Sequence, residues 1–236
     1  MITFHSIALT SVLAMARAYN EDAACNPISP DTCTPAVPYE VTSYSMYNGG
    51  SGGVIFQDLK YPTCGPKVDY VSLSGGTGDL TDGTIATNSW DAGQADTEKY
   101  VGWYFRYIDP PYPLKDTNEV PITFFFNQEV TIASLKISVD EANGGVHAPA
   151  TVVIERLGTC EGTVYPFPVN PGGVQTGPYT AEIWLDTPVT VDMATGLSVT
   201  LTRNTNPTFP DPDGNSWIFV SEIQFFGDCS PTLGMY

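Results

Sequence analysis

The chain never settles into a helical rhythm. Its apolar residues come as short runs of β-branched and aromatic side chains, and each run ends on glycine, proline, asparagine or aspartate. Tyr100-Val101-Gly102-Trp103-Tyr104-Phe105-Arg106-Tyr107 stops at Asp109-Pro110-Pro111-Tyr112-Pro113, and Val130-Thr131-Ile132-Ala133-Ser134-Leu135-Lys136-Ile137-Ser138-Val139 stops before Asn143-Gly144-Gly145. Gly 22 and Pro 20 in 236 residues suit many short strands joined by tight turns. No segment has the 3.6-residue period of a long helix and none repeats. The rhythm predicts an all-β fold, an antiparallel β-sandwich or jelly roll.

Further strands are expected at 54–56, 68–73, 121–126, 150–155, 179–185, 189–191, 197–202 and 217–226. Within 130–139, Leu135, Ile137 and Val139 share one parity and form an apolar inner face, opposite Ile132, Lys136 and Ser138. Asn127-Gln128-Glu129 reads as a short hairpin-like connection. Residues 75–98, rich in glycine and acid, read as one long loop of the kind that often carries function. Tyr165-Pro166-Phe167-Pro168 reads as an exposed apolar loop that covers the sandwich edge or meets a partner.

Residues 6–16 form a short apolar run, too short to span a bilayer, and Ala16-Arg17-Ala18 has the small-x-small form of a cleavage site. A secretory leader 1–18 is expected, which gives a secreted, extracellular protein and leaves His147 as the sole histidine. A Pro- and Cys-rich arm with the first strand would follow at 19–64, then the sandwich at 65–229 and a tail at 230–236. The five cysteines, Cys25, Cys33, Cys64, Cys160 and Cys229, all lie beyond the leader, so disulfides are the default. Cys25 and Cys33 could close a small loop, and Cys64 or an N-terminal cysteine could reach Cys229. The odd thiol is free, buried or paired with another chain, so a disulfide-linked or non-covalent assembly stays open. Without a Cys-x-x-Cys pair and with one histidine, a zinc site is not expected.

The formal net charge is −17. Such a surface repels nucleic-acid phosphates and anionic lipid, and suits cations or neutral ligands such as sugars. No Gly-x-Ser-x-Gly elbow or phosphate-binding Gly-Lys-Ser/Thr loop occurs, and no carboxylate pair is singled out for glycoside hydrolysis, so the chain reads as non-catalytic.

Two acidic positions stand apart. Asp82 sits in Asp79-Leu80-Thr81-Asp82-Gly83, and Glu222 in Ser221-Glu222-Ile223-Gln224-Phe225-Phe226-Gly227. They can meet only if the chain closes into one β domain, where they offer the hard oxygen ligands that Ca²⁺ prefers. Asp-Gly alone marks a plain turn. Leu80-Thr81-Asp82-Gly83, Thr87, Trp90 and Tyr100-Val101-Gly102-Trp103, followed by the 124–139 strand pair and the closing Glu222 strand, resemble galactose-binding-like domains, the discoidin or coagulation-factor C-type jelly rolls. The resemblance spans roughly 65–228. It implies a structural Ca²⁺ at the rim held by the Asp82 side chain, the Thr87 hydroxyl and carbonyl, the Ser221 carbonyl and the Glu222 side chain, with backbone oxygens near Asp79 and Ile85. The tryptophan follows the threonine by one residue more than in the commoner family spacing.

For a ligand, aromatic faces stack on the C–H faces of sugars, and Arg and His bond hydroxyls. Alternation sets Trp103, Phe105 and Tyr107 on one side of their strand, the first two suiting a core. Tyr104 and Arg106 fall on the other side as candidates for a surface site, with His147 from the Gly144-Gly145-Val146-His147 loop. Asp140-Glu141 and Asp211-Pro212-Asp213-Gly214-Asn215 read as acidic turns, the second lacking an EF-hand's ligand ladder. The leading expectation is a carbohydrate-binding or adhesion module whose partner is a neutral glycan or extracellular glycoprotein. The rival is a structural protein of a wall, matrix or surface filament, and a divergent hydrolase comes third.

Overall fold

The computed structural model describes residues 37–49, 56–62, 72–92, 98–105, 118–142, 145–159, 161–173, 176–204 and 216–227. The expected leader, most of the arm, the five cysteines, Arg106 and the 211–215 turn lie outside them. The chain divides into a unit Met1–Cys33 and a unit Thr34–Tyr236, and every described residue belongs to the second.

Ten strands run in chain order: β1 Val41–Tyr47, β2 Ser72–Gly76, β3 Val101–Phe105, β4 Glu119–Phe126, β5 Val130–Glu141, β6 Thr151–Arg156, β7 Gly162–Pro166, β8 Gly177–Val191, β9 Leu197–Thr202 and β10 Ser216–Phe226. They form two antiparallel sheets, six strands in the order β2-β1-β4-β9-β6-β7 and four in the order β3-β10-β5-β8. Alternation builds each sheet's inner face. Ile122 and Phe124 of β4, Val199 and Leu201 of β9 and Tyr44 of β1 come from one sheet. Trp103 and Phe105 of β3, Leu135 and Ile137 of β5 and Phe225 of β10 come from the other, and all are buried in one cluster. Burial of this kind contributes about 25 cal/mol per Å² of apolar surface, which is what holds the two layers together.

The all-β sandwich expected from the strand–turn rhythm is the fold observed. Several elements differ from their sequence reading. β1 had no distinct signal, because serine and threonine dilute Val-Thr-Ser-Tyr-Ser-Met-Tyr, yet Tyr44 and Met46 are buried and β1 lies inside its sheet between β2 and β4. Phe56 is in a turn at φ 65°, not in a strand. The 75–98 segment is not wholly loop: β2 reaches Gly76, and Asp79–Thr81 is a 3-10 turn.

Asn127-Gln128-Glu129 is not a hairpin connection. β4 pairs with β1 and β9, while β5 pairs with β10 and β8, so this link crosses from one sheet to the other. Phe126 and Val130 at its two ends are both buried, and crossing between the layers lets both strands keep an apolar inner face. The expected exposed loop at Tyr165-Pro166-Phe167-Pro168 is also corrected. Tyr165 belongs to edge strand β7, Phe167 packs edge-on against Tyr179 at 6.3 Å, and both are buried, because prolines at an edge strand cost no ladder bond. β8 runs unbroken where two strands were expected. Its register to β5 slips between Ile132 and Ser134, and Asp186 there donates its N–H to the Tyr165 hydroxyl at 3.3 Å, tying β8 to β7.

A second apolar cluster lies on the outer face of the four-stranded sheet. Phe219 of β10 packs with Ala86, Tyr100 and Val146, and Phe56, Trp90 and Trp217 close over them. Phe219 meets Phe56 at 4.4 Å and Trp90 at 5.9 Å between ring centroids. This cluster seats the 79–92 segment on the sheet.

A candidate cation-binding bend and its adjoining cleft

β10 does not keep one parity along its length. Ile218 and Val220 point into the main core, and so do Ile223 and Phe225. The frame changes at a bulge: Val220 is opposite Val139, but Glu222 is opposite Ser138. Without the extra residue Glu222 would continue the Ile218–Val220 face into the apolar interior. The bulge turns it to the outer face instead, a use of bulges common beside functional sites.

There Glu222 meets the acidic bend. Its Oε2 accepts the Gly83 N–H at 3.1 Å, and the Ser221 hydroxyl accepts the Ala86 N–H at 3.3 Å. Gly83 has φ +79°, a conformation that favours glycine and lets the bend close on the strand. Glu222 is 3 % exposed. Burial, with the Asp82 charge adding to it, pushes its carboxyl up to about 8, while the Gly83 hydrogen bond pulls the other way. The meeting of the first acidic bend with the closing strand, expected from sequence, is therefore present.

Asp82 uses Oδ1 to accept the Thr84 N–H at 2.7 Å, and its Oδ2 is bonded by the Lys60 ammonium. The same ammonium lies 3.2 Å from Asp79 Oδ1. The bond to Asp82 is the chief reason the Lys60 pKa is raised. Lys60 arrives there because its own segment is lashed to the bend. Asp79 Oδ2 accepts the N–H of Leu59 at 2.9 Å and of Lys60 at 3.4 Å, and Asp58 Oδ1 accepts the N–H of Asp79 at 2.9 Å and of Tyr61 at 3.1 Å. Asp58 also accepts the Tyr44 hydroxyl. Burial pushes the Asp58 carboxyl up to about 6 against the pull of that hydroxyl. Sequence reading did not find Asp58, Lys60 or this reciprocal pairing. An isolated Asp-Leu-Lys in a short turn has no period or motif to mark it.

The donor chemistry of the bend fits a hard cation. A buried glutamate lies beside a second carboxylate, and Asp79 and Asp82 already draw in the chain's own ammonium. Among the described residues no three His, Cys, Asp or Glu side chains converge to hold a metal, so Asp82 and Glu222 would need carbonyl and hydroxyl oxygens to complete a shell. Ser221 commits its hydroxyl to Ala86 and to the Ser138 carbonyl at 3.5 Å, which leaves its carbonyl as the donor the resemblance implies. Thr87 follows directly on the anchored Ala86, but its side chain is exposed and lines a neighbouring cleft.

That cleft, about 370 Å³, is formed by Thr87, Asn88, Ser89, Asp91 and Ala92 on one side and Ala142, Thr176, Gly177 and Pro178 on the other. Asp140 holds its inner wall. Its carboxylate accepts the Ser89 hydroxyl at 2.9 and 3.0 Å and the Trp90 N–H at 2.8 Å. Asp140 is in a strand, not in the acidic turn expected from sequence. It is the penultimate residue of β5, is fully buried, and its pKa is raised by burial against the pull of those hydrogen bonds.

Of the residues read as sugar contacts, Tyr104 lies on the outer face, half-buried and stacked on Trp217 at 4.6 Å. Trp103 and Phe105 are core. His147 is 8 % exposed, and its backbone N–H donates to the Trp217 carbonyl at 3.0 Å. The parallel bridge between Val146 and Trp217 draws that loop onto the sheet. Tyr104 and His147 thus both contact Trp217, the one through its ring and the other through its backbone N–H.

No protein-family model matches the sequence. No curated protein matches it either. Among solved structures, the F5/8 type C domain of a Bacteroides fragilis protein is 13% identical, with 64% of this chain and 79% of that one covered and a TM-score of 0.37. The family 32 carbohydrate-binding module of C. perfringens NanJ, solved in complex with galactose, is 10% identical over 62% of this chain and 88% of that one, at a TM-score of 0.32. A chitosan-binding module from a Paenibacillus chitosanase/glucanase is 13% identical over 62% of this chain and 87% of that one, at 0.29. These likenesses are loose, and the fold assignment rests on the sheet order itself. The chain is an antiparallel β-sandwich similar to F5/8 type C and family 32 carbohydrate-binding domains.

Proposed function

We propose that the chain is a secreted, non-catalytic carbohydrate-binding module that carries a structural calcium ion in the bend and a neutral glycan in the cleft beside it. One observation carries this reading: the 82–92 loop is fixed at both ends. Glu222 and Ser221 hold Gly83 and Ala86, and Asp140 holds Ser89 and Trp90. Thr87 and Asn88 stand exposed between the anchors. A polar loop immobilised in this way presents hydroxyl and amide groups without paying their ordering entropy on binding.

Calcium would supply charge neutralisation for Asp82 and Glu222 and fix the first anchor. The residues holding it would be Asp82, Glu222 and the Ser221 carbonyl, with Thr87 as a further oxygen donor. The chain's net charge of −17 favours neutral over anionic glycans. His147 is 8 % exposed, and Asn88, Ser89 and Thr176 line the cleft, so the first contacts proposed for the glycan are these three. A glycan array and pull-downs on insoluble polysaccharides, each run with calcium and with chelator, test the reading. The expected result is retention on neutral glycans that weakens in chelator. A correctly folded protein that retains none of them sinks the proposal.

A further inference from the structure

The chain has four tryptophans. Trp103 is core, and Trp90 and Trp217 close the second apolar cluster. Trp184 alone stands out into solvent, 56 % exposed, on the outer face of β8. The neighbours of this ring follow from the register. Across the four-stranded sheet, Trp184 pairs with Ser134, and Ser134 with Phe226. The next outward row is Glu182, Lys136 and Gln224, and the one after is Thr180, Ser138 and Glu222. Pro178, a wall of the cleft, begins the same tract.

The polar side chains of the tract are partnered. Lys136 lies 3.7 Å from Glu182 and 5.2 Å from the centre of the Phe226 ring, and Ser138 and Thr180 share a hydroxyl hydrogen bond of 2.8 Å. The exposed part of the tract, along β8, therefore offers one bare aromatic face followed by Glu182, whose charge Lys136 offsets, and the Thr180 hydroxyl, while Ser138 and Glu222 are buried beside it. That is a poor match for a protein partner, which needs roughly 800 Å² of complementary surface and an apolar centre. It is also a poor match for an anion. It suits a neutral ligand with a flat C–H face and hydroxyls along its edge. At about 3.4 Å per residue, Pro178 and Trp184 are about 20 Å apart, the reach of an extended oligosaccharide rather than of a single sugar.

We infer that the outer face of the four-stranded sheet is a second glycan subsite, in which Trp184 stacks on a flat-faced, all-equatorial pyranose of a chain whose other end occupies the cleft. This rests on the carbohydrate-binding reading and extends it: the ligand is a linear neutral β-linked oligosaccharide, read along β8.

The test is calorimetric titration of the full chain with cellohexaose and N-acetylated chitohexaose, and with the matching disaccharides. Unchanged protein should bind one of the hexasaccharides about tenfold more tightly than its disaccharide. Trp184→Ala should bring that hexasaccharide down to the disaccharide level while leaving disaccharide affinity unchanged, and Trp184→Phe should retain part of the gain. Asn88→Ala should weaken both ligands. Equal hexasaccharide affinity in Trp184→Ala and unchanged protein overturns the sheet-face subsite while the cleft reading stands. So does a dimer in sedimentation that Trp184→Ala dissolves without touching glycan affinity, because the ring would then cover a second copy. Failure of every hexasaccharide to bind overturns the subsite as well, and the glycan array then decides separately whether the broader reading survives.

Discussion

Replacing Glu222 with glutamine isolates the energetic cost of burying this carboxyl. In the folded chain the group is pushed from its ordinary 4.5 up to about 8, chiefly by burial. The folded state therefore holds a proton that the unfolded chain releases between those values. Stability is fully present below pH 4.5 and falls as pH rises through 8. A difference of about 3.5 units at 1.36 kcal/mol each sets an upper bound of about 5 kcal/mol on that fall, and about 3 kcal/mol is a fair expectation once partial relaxation is allowed. Glutamine keeps an oxygen to accept the Gly83 N–H but cannot ionise. In urea unfolding with chelator present, Glu222→Gln should match the unchanged chain within about 1 kcal/mol at pH 4.5 and exceed it by about 3 kcal/mol at pH 9. Asp58, Asp140 and Glu141, all shifted upward, titrate in both proteins and cancel in the difference. Two curves that stay parallel from pH 4.5 to 9 would refute the reasoning. Calcium should restore the alkaline stability of the unchanged chain and leave Glu222→Gln where it was.

Lys60→Met should tighten calcium binding by about tenfold in a calorimetric titration, since it removes a competing positive charge from Asp79 and Asp82. It should cost under about 1 kcal/mol of stability, because the ammonium is half-exposed. Asp140→Ala frees the Ser89 hydroxyl and the Trp90 N–H and should lower stability by about 2–3 kcal/mol in denaturant unfolding. It should also weaken any cleft ligand. Gly78→Ala would place a methyl group 2.2 Å from Asp58 Oδ1, an oxygen fixed by two backbone N–H groups, and should cost about 1–3 kcal/mol with a matching fall in melting temperature.

The acidic bend was legible because its ingredients are local. Asp-Gly marks a turn wherever it occurs, and a glutamate within an otherwise apolar closing strand is conspicuous. Even the bulge leaves a trace, since Ile218 and Val220 share one parity while Ile223 and Phe225 share the other. The burial of His147 was not legible for the opposite reason. Glycines beside His147 signal a turn, but nothing local says that Trp217 bridges to Val146 and folds that turn against the sheet.

The amino-acid order by itself determined that this chain is strands and turns, which side chains form the apolar face of most strands, and that an oxygen-rich bend lies at 79–83. Those properties follow from backbone preference and from the two-residue period of a strand. Tertiary structure decided what alternation cannot encode, namely which strand lies beside which. It sent β4 and β5 to different sheets, brought Lys60 to Asp79 and Asp82, buried His147, and left Trp184 bare at the end of a polar tract. A side chain's parity is set by its own strand, but its exposure is set by whatever packs across from it, and that is settled only when distant segments compete for the same apolar surface.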